Sequence, residues 1–224
     1  SLSAIPKFLN NIFSLVGGLT IGFFSVIFIS FFLLKDSDIL ENSIFVFVNK
    51  NNEKRLKKSF ESIKDLLSRY FLGLLLQINI LLIIYSIVLF AFGIKNAFII
   101  AFLCCLLNLI PYIGPIIAAM LMIILSMTSN LDADFSTIIL PKTIYVMIGF
   151  IIGQLIDNFF SQPYIFSKSV KSHPLEIFII ILVGGTLFGP IGMIAAIPFY
   201  TSLKVILKEF LSNNRIVKSL TKDL

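Results

Sequence analysis

Charged side chains are missing from four long stretches of this sequence. Twenty-seven residues separate Lys7 from Lys35, 25 separate Arg69 from Lys95, 36 separate Lys95 from Asp132, and 27 separate Glu176 from Lys204. Leu, Ile, Val and Phe fill them. A bilayer core ~30 Å thick is crossed by about 20 apolar residues at 1.5 Å per residue, so the pattern predicts membrane helices. Unbroken spans are expected over 12–34, 71–93 and 138–160. The first holds Gly17, Gly18 and Gly22, small residues that admit a close helix neighbour.

The other two runs are interrupted. As one helix, the 36 residues after Lys95 would extend ~54 Å, too long for an upright crossing. LNLIPYIGP at 107–115 divides them, with Asn108, Pro111, Tyr112, Gly114 and Pro115. GGTLFGPIG at 184–192 divides the run 177–203, with Gly184, Gly185, Gly189, Pro190 and Gly192. Proline removes backbone hydrogen bonds, and at membrane depth that is tolerated only where protein or a water-filled cavity satisfies the freed groups. Span then broken segment occurs twice. Gly73 aligns with Gly149, Gln77 with Gln154, and Gly114-Pro115-Ile116 with Gly189-Pro190-Ile191. If both broken segments are hairpins, Asp132 and Asp134 fall on one side and Lys168 and Lys171 on the cytoplasmic side, as the positive-inside rule favours. The expected fold is therefore all-α and polytopic, with two Gly/Pro-broken re-entrant hairpins in an inverted-repeat arrangement. Paired broken segments of this kind point to a transport site near the midplane.

Residues 35–69 are the one sizeable aqueous segment, with eight Lys/Arg against six Asp/Glu. Leu56, Phe60, Ile63, Leu67 and Tyr70 recur at helical spacing, which predicts an amphipathic helix docked on the membrane domain or lying at the lipid interface. The chain thus divides into a first span (1–34), a cytoplasmic basic segment (35–69), a transport core (70–208, with repeat units 70–127 and 138–203) and a cytoplasmic tail (209–224). The start at Ser1 rather than Met, with no signal peptide, reads as that of a fragment or of a processed or trimmed chain.

Composition narrows the chemistry. With 58% hydrophobic and 13% charged residues, against about 25% charged in soluble domains, little remains for an aqueous surface. The formal charge of +6 fits Lys/Arg on the cytoplasmic side rather than a nucleic-acid partner. Cys104 and Cys105 are adjacent in an apolar run, so they read as small buried hydrophobes. One histidine, His173, is too few for a His-pair metal site, and no phosphate-binding loop is present. No catalytic residue, metal or cofactor is expected.

Asp157 stands out as the one acid between Asp134 and Glu176. Intramembrane carboxylates are costly and default to function, here a cation or proton coupled to transport, although its place near a span end also suits an interfacial role. Gln77 and Gln154 could offer paired amides to a polar ligand or bond between helices. Asn108 and Tyr112 flank the first break and could contact substrate or cap exposed backbone, and Asn158 is a further candidate substrate contact. Pro111, Gly114, Pro115, Gly184, Gly185, Gly189 and Pro190 form the breaks. His173, before Pro174, is a capping residue or a proton-linked gate. Tyr70, Tyr164 and Tyr200 read as interface anchors.

FFLLKD (31–36), RYFLGLLLQ (69–77), FGIKNA (92–97), NLIPYIGP (108–115), QLIDN (154–158), SVKSHPL (169–175) and GGTLFGPIGMIAAIP (184–198) occur in this order. Together they resemble the autoinducer-2 exporter family, the PerM-type permeases. The resemblance covers nearly the whole chain from residue 12. It implies further N-terminal spans, a homo-oligomer (a pentamer) in the bacterial inner membrane, and secondary transport by an elevator-like movement. The expected cargo is a small polar solute like autoinducer-2, exported. A sodium/proton antiporter is the alternative, and a non-transporting membrane scaffold is the alternative of another class.

Overall fold

The computed structural model describes residues 22, 24–33, 35–36, 52–129, 133–165, 172–212 and 214–222, and every regular element among them is helical. The chain divides into two compact units, Ser1–Leu56 and Lys57–Leu224. The first contains α1 (Phe24–Leu33), the described part of the expected first span, in which the Phe28 and Phe32 rings lie 4.7 Å apart. Gly17, Gly18, Asp132, Tyr164's side chain, Lys168 and Lys171 lie outside the described residues.

The second unit holds α2 (Glu53–Ala91, its first turn preceding the boundary), α3 (Ala97–Leu107), α4 (Ile113–Thr128), α5 (Leu140–Ile156), α6 (Gln162–Ile165), α7 (Pro174–Phe210) and α8 (Arg215–Leu220). Wide turns extend α5 at both ends. Ile139 N–H donates to Asp134 O at 3.2 Å, and Gln162 N–H donates to Asp157 O, each closing a loop of i→i+5. The apolar stretch Phe135–Ser161 is long enough to cross a membrane, as are α2 and α7 by length and composition. The expected amphipathic helix from Leu56 is present within a longer element. It is the first half of α2, which continues unbroken through Arg69 and Tyr70, because no proline or glycine stands at that junction.

Along α2 the buried positions Ser59, Leu66, Tyr70, Gly73, Leu74, Gln77, Leu81, Tyr85 and Leu89 recur every three to four residues. The opposite face carries Phe71, Leu72, Leu75, Leu76, Ile83, Ile87 and Phe90, all exposed. Large apolar side chains outside and amides inside reverse the soluble arrangement. Lipid is the solvent that makes such a surface stable.

Both broken segments fold back as hairpins. In the first, Lys95 N–H donates to Ser129 Oγ at 2.6 Å across 34 residues, and Cys104 Sγ bonds Ala118 O at 3.6 Å. At its tip Gly114 abuts the Leu107 carbonyl, so any Cβ there would collide with backbone. The tip satisfies its own backbone through Gly114 N–H to Ile110 O and Ile113 N–H to Pro111 O. The second hairpin is α7 itself, which reverses at Gly189 (φ 63°, ψ −150°), a conformation that is essentially glycine-only. Gly184 and Gly192 then meet backbone to backbone. Arms of ~22 Å and ~32 Å follow from 1.5 Å per residue.

The hairpins point in opposite directions. Leu109, Ile110 and Ile113, at the tip of the first, share a cluster with Ile177 and Ile181 near the base of the second. Tyr112 stands edge-on to Phe178 at 5.7 Å. Hairpin one covers the C-terminal half of α2 through Leu81, Tyr85 and Leu89 with Ala101, Cys104, Cys105, Ala118 and Met122. Hairpin two covers the N-terminal half through Tyr70 and Leu74 with Ile177, Ala196 and Ile197.

Between them α2 and the α5 stretch run antiparallel, held close by glycines. A Cβ on Gly73 would lie 2.6 Å from Ile165 Cγ1, and one on Gly149 would lie 2.5 Å from Val88 Cγ1. The repeat offset that takes Gly73 to Gly149 takes Val88 close to Ile165, so each repeat's glycine packs on the other repeat's branched residue. This two-fold exchange is the geometry of an inverted repeat.

Candidate functional site

Two polar clusters lie on the α2–α5 seam. Asp157 is completely buried (0% exposed) where the wide turn begins. Its Oδ2 accepts from Gln77 Nε2 at 2.9 Å and from Gln162 Nε2 at 3.1 Å. Its Oδ1 is equally buried and makes no hydrogen bond of good geometry among the described residues, nor does the Ser161 hydroxyl one turn on, which stands near the carboxylate. Asp157 is thus enclosed by protein rather than exposed at the end of its helix. The extra residue in the wide turn rotates the helix so that Asp157 and Ser161 both face inward.

About two turns along α2, Gln154 Nε2 donates to Tyr85 OH at 2.7 Å and to Asn108 Oδ1 at 2.8 Å. Asn108 Nδ2 donates to Cys104 O at 2.7 Å, which ties the end of α3 into the seam. Tyr85 stacks on Phe150 at 5.2 Å. This cluster is internally satisfied and rigidifies the first hairpin against α2 and α5. The Asp157 cluster is not, and buried polar atoms without partners call for a ligand or water.

Of the candidates from sequence, the structure brings together Gln77 and Asp157, and separately Gln154 and Asn108. Asn158 is exposed and accepts from Gln162 Nε2 at 2.8 Å. Tyr112 sits at the first tip, 38% exposed and with φ 67°, apart from both clusters. His173 caps α7, its Nδ1 accepting from Leu175 N–H at 3.3 Å. Pro111, Gly114, Pro115, Gly184, Gly185, Gly189 and Pro190 occupy the two hairpins, with Gly185 against Met193. Cys104 and Cys105 are buried.

Sequence reasoning missed Gln162, Ser161 and Tyr85 in these clusters. Gln154, Asp157, Ser161 and Gln162 follow helical spacing, and that polar stripe on an otherwise apolar helix was the available signal. It also misread Tyr70, which is 2% exposed in the core rather than an anchor. Tyr200 likewise has a specific partner. Its OH donates to Glu176 Oε2 at 2.9 Å, and Lys204 Nζ reaches the same oxygen at 3.2 Å and Ser172 Oγ at 3.1 Å. Lys204 is 1% exposed, so this group bolts the base of the second hairpin from inside.

Lipid-facing helices, two opposed hairpins and a carboxylate buried on the seam between them define a membrane protein of the transporter class. A profile of the AI-2E family transporters matches residues 1–212, and the chain belongs to that family. It is 30% identical over 184 residues, 82% of its length, to "Putative transport protein YrrI" of Bacillus subtilis (strain 168), covering 50% of that protein. Identity to "Putative transport protein YueF" of the same organism is 27% over 96% of the chain and 55% of the relative. Against "AI-2 transport protein TqsA" of Escherichia coli (strain K12) it is 27% over 53% of the chain and 32% of that protein. The chain spans about half the length of the Bacillus relatives it matches.

Proposed function

We propose that this chain is the core of a secondary-active transporter of the bacterial inner membrane, which exports a small polar solute and uses Asp157 as its coupling group. The observation that carries the reading is the Asp157 carboxylate, fully buried with one oxygen held by two amides and the other unpartnered. A structural carboxylate would have both oxygens bonded, and one facing a transported or coupled cation has reason not to. The two hairpins supply elements that can move past the seam, in an elevator-like cycle, without breaking a full-length span. The name of the Escherichia coli relative, AI-2 transport protein TqsA, supports an autoinducer-2-like cargo. The same carboxylate supports a second reading, sodium/proton antiport, in which the cation is itself the cargo. A scaffold accounts for neither the unpartnered oxygen nor the glycine-only reversal at Gly189. Membrane lipids and further copies of the chain are the proposed partners.

The test is counterflow in proteoliposomes with autoinducer-2, small polyols or sodium, with and without a pH gradient. Asp157→Asn should abolish coupled flux while leaving oligomer assembly unchanged. Undiminished flux in the variant sinks the assignment, and no flux of any solute in the native protein favours the scaffold.

A further inference from the structure

Five buried side-chain polar atoms lack a partner among the described residues: Tyr70 OH, Ser86 Oγ, Asp157 Oδ1, Ser161 Oγ and Thr201 Oγ1. Four fall along one line in the helix register. Gln77 is bonded to Asp157, and Gly73 lies against Ile165, so Ser161, midway between Asp157 and Ile165, stands at the level between Gln77 and Gly73. Tyr70 is the next buried residue along α2 in the same direction. Leu66, one turn further, shares a groove of about 260 Å³ with Val205, Lys58, Ser62, Asp65, Lys208 and Glu209. Thr201, one turn before Val205 on α7, therefore comes to the level of Tyr70. Tyr70, Thr201 and Ser161 are 2%, 2% and 9% exposed.

On the other side of Asp157 the seam is predominantly apolar. Leu81, Tyr85, Leu89, Cys104, Cys105, Met122, Val146 and Phe150 are 0–5% exposed and form one apolar cluster. The polar atoms there, on Tyr85, Gln154 and Asn108, are bonded to one another. Ser86, the fifth unpartnered atom, has no second such atom within a turn of it on α2.

We propose that this conformation contains a one-sided water path that leads from the charged groove at Ser62, Asp65 and Glu209, past Thr201, Tyr70 and Ser161, to Asp157. Each unpartnered hydroxyl is a station for a bridging water, since a buried water needs two to four polar partners. Hydroxyls about a turn apart, linked by single waters, can relay protons. The path rests on Asp157 being the coupling site, and it states from which side that site is reached. The apolar cluster seals the opposite side, so in this state Asp157 exchanges with the end of the protein where α2 begins and α7 finishes.

Single cysteines placed in a Cys104→Ala/Cys105→Ala background test the path by their reaction with a positively charged methanethiosulfonate in proteoliposomes. Ser161→Cys and Thr201→Cys should react at least tenfold faster than Ala118→Cys in the apolar cluster, and from the same side of the membrane as Ser62→Cys in the groove. Rates no faster than Ala118→Cys, or reaction from the opposite side, overturn the proposal. Deuterium exchange on the unmodified chain reads the same property without substitutions: amides over 157–165 should exchange faster than those over 143–150, and equal protection also overturns it. Neither measurement depends on transport, so failure here leaves the Asp157→Asn flux result to judge the coupling site separately.

Discussion

Removing either partner of the Lys204–Glu176 pair should have unequal effects. Lys204 is 1% exposed at its side chain and Glu176 33%. Glu176→Leu removes the carboxylate 3.2 Å from a desolvated ammonium that keeps its bond to Ser172 Oγ, and removing one partner of a buried charge pair costs about 3–5 kcal/mol. Lys204→Met leaves a carboxylate that keeps the Tyr200 O–H donor and reaches solvent over a third of its surface. Screening and that donor reduce the loss to about 1–2 kcal/mol. At roughly 2–4 °C per kcal/mol for a chain of this size, thermal unfolding in detergent micelles should fall by about 6–20 °C for Glu176→Leu and about 2–8 °C for Lys204→Met. The double variant should recover most of the Glu176→Leu loss, because an apolar pair of similar volume has no desolvated charge. A Lys204→Met shift equal to or larger than that of Glu176→Leu, or a double variant with the two losses simply added, refutes the argument.

Gly149→Leu would force α2 and α5 apart at Val88, and the overpacking should cost about 1–3 kcal/mol, read as a lower unfolding temperature; an unchanged one would mean that the seam is loose. Gly189→Ala should cost a similar ~1–3 kcal/mol through backbone strain alone, since no atom lies within 4 Å of the added Cβ. In flux assays Gly189→Leu should reduce transport more than expression, and equal losses would assign the glycine to folding only. Asp134, outside the spans, has its carboxyl held below the usual carboxylate range by the Thr137 backbone N–H and then its hydroxyl. A depressed folded-state pKa contributes stability above the ordinary carboxylate pKa that disappears as pH falls through the lowered value. Thr137→Val should raise the Asp134 titration midpoint toward its ordinary value in carbon-13 spectra of the carboxyl, and an unmoved midpoint would show the hydroxyl to be idle.

Several features were legible in one dimension because they depend on composition or on a single residue's backbone. Apolar runs without charge must be covered by lipid or protein. Gly-Pro pairs within them must interrupt the helix, as Gly114-Pro115 and Gly189-Pro190 do. A lone carboxylate among such residues, Asp157, is conspicuous before any packing is known. The repeat was visible in Gly73 and Gly149 because close helix approach tolerates no side chain there.

Other features depended on which faces meet. Tyr70 and Tyr85 have the same composition cue as any tyrosine in a span, yet both are core residues because α2 turns that face to the hairpins. Lys204 and Glu176 read as the borders of an apolar run until the reversal at Gly189 brings them together across 28 residues. Gln77 and Gln154 look like equivalents, but one holds the carboxylate and the other closes a satisfied network with Tyr85 and Asn108. The sequence by itself determined the solvent, the number of breaks and the residue too costly to bury without purpose. Only the tertiary structure decided which side chains hold that residue and which faces meet around it, because both depend on the register between α2, α5 and the hairpins.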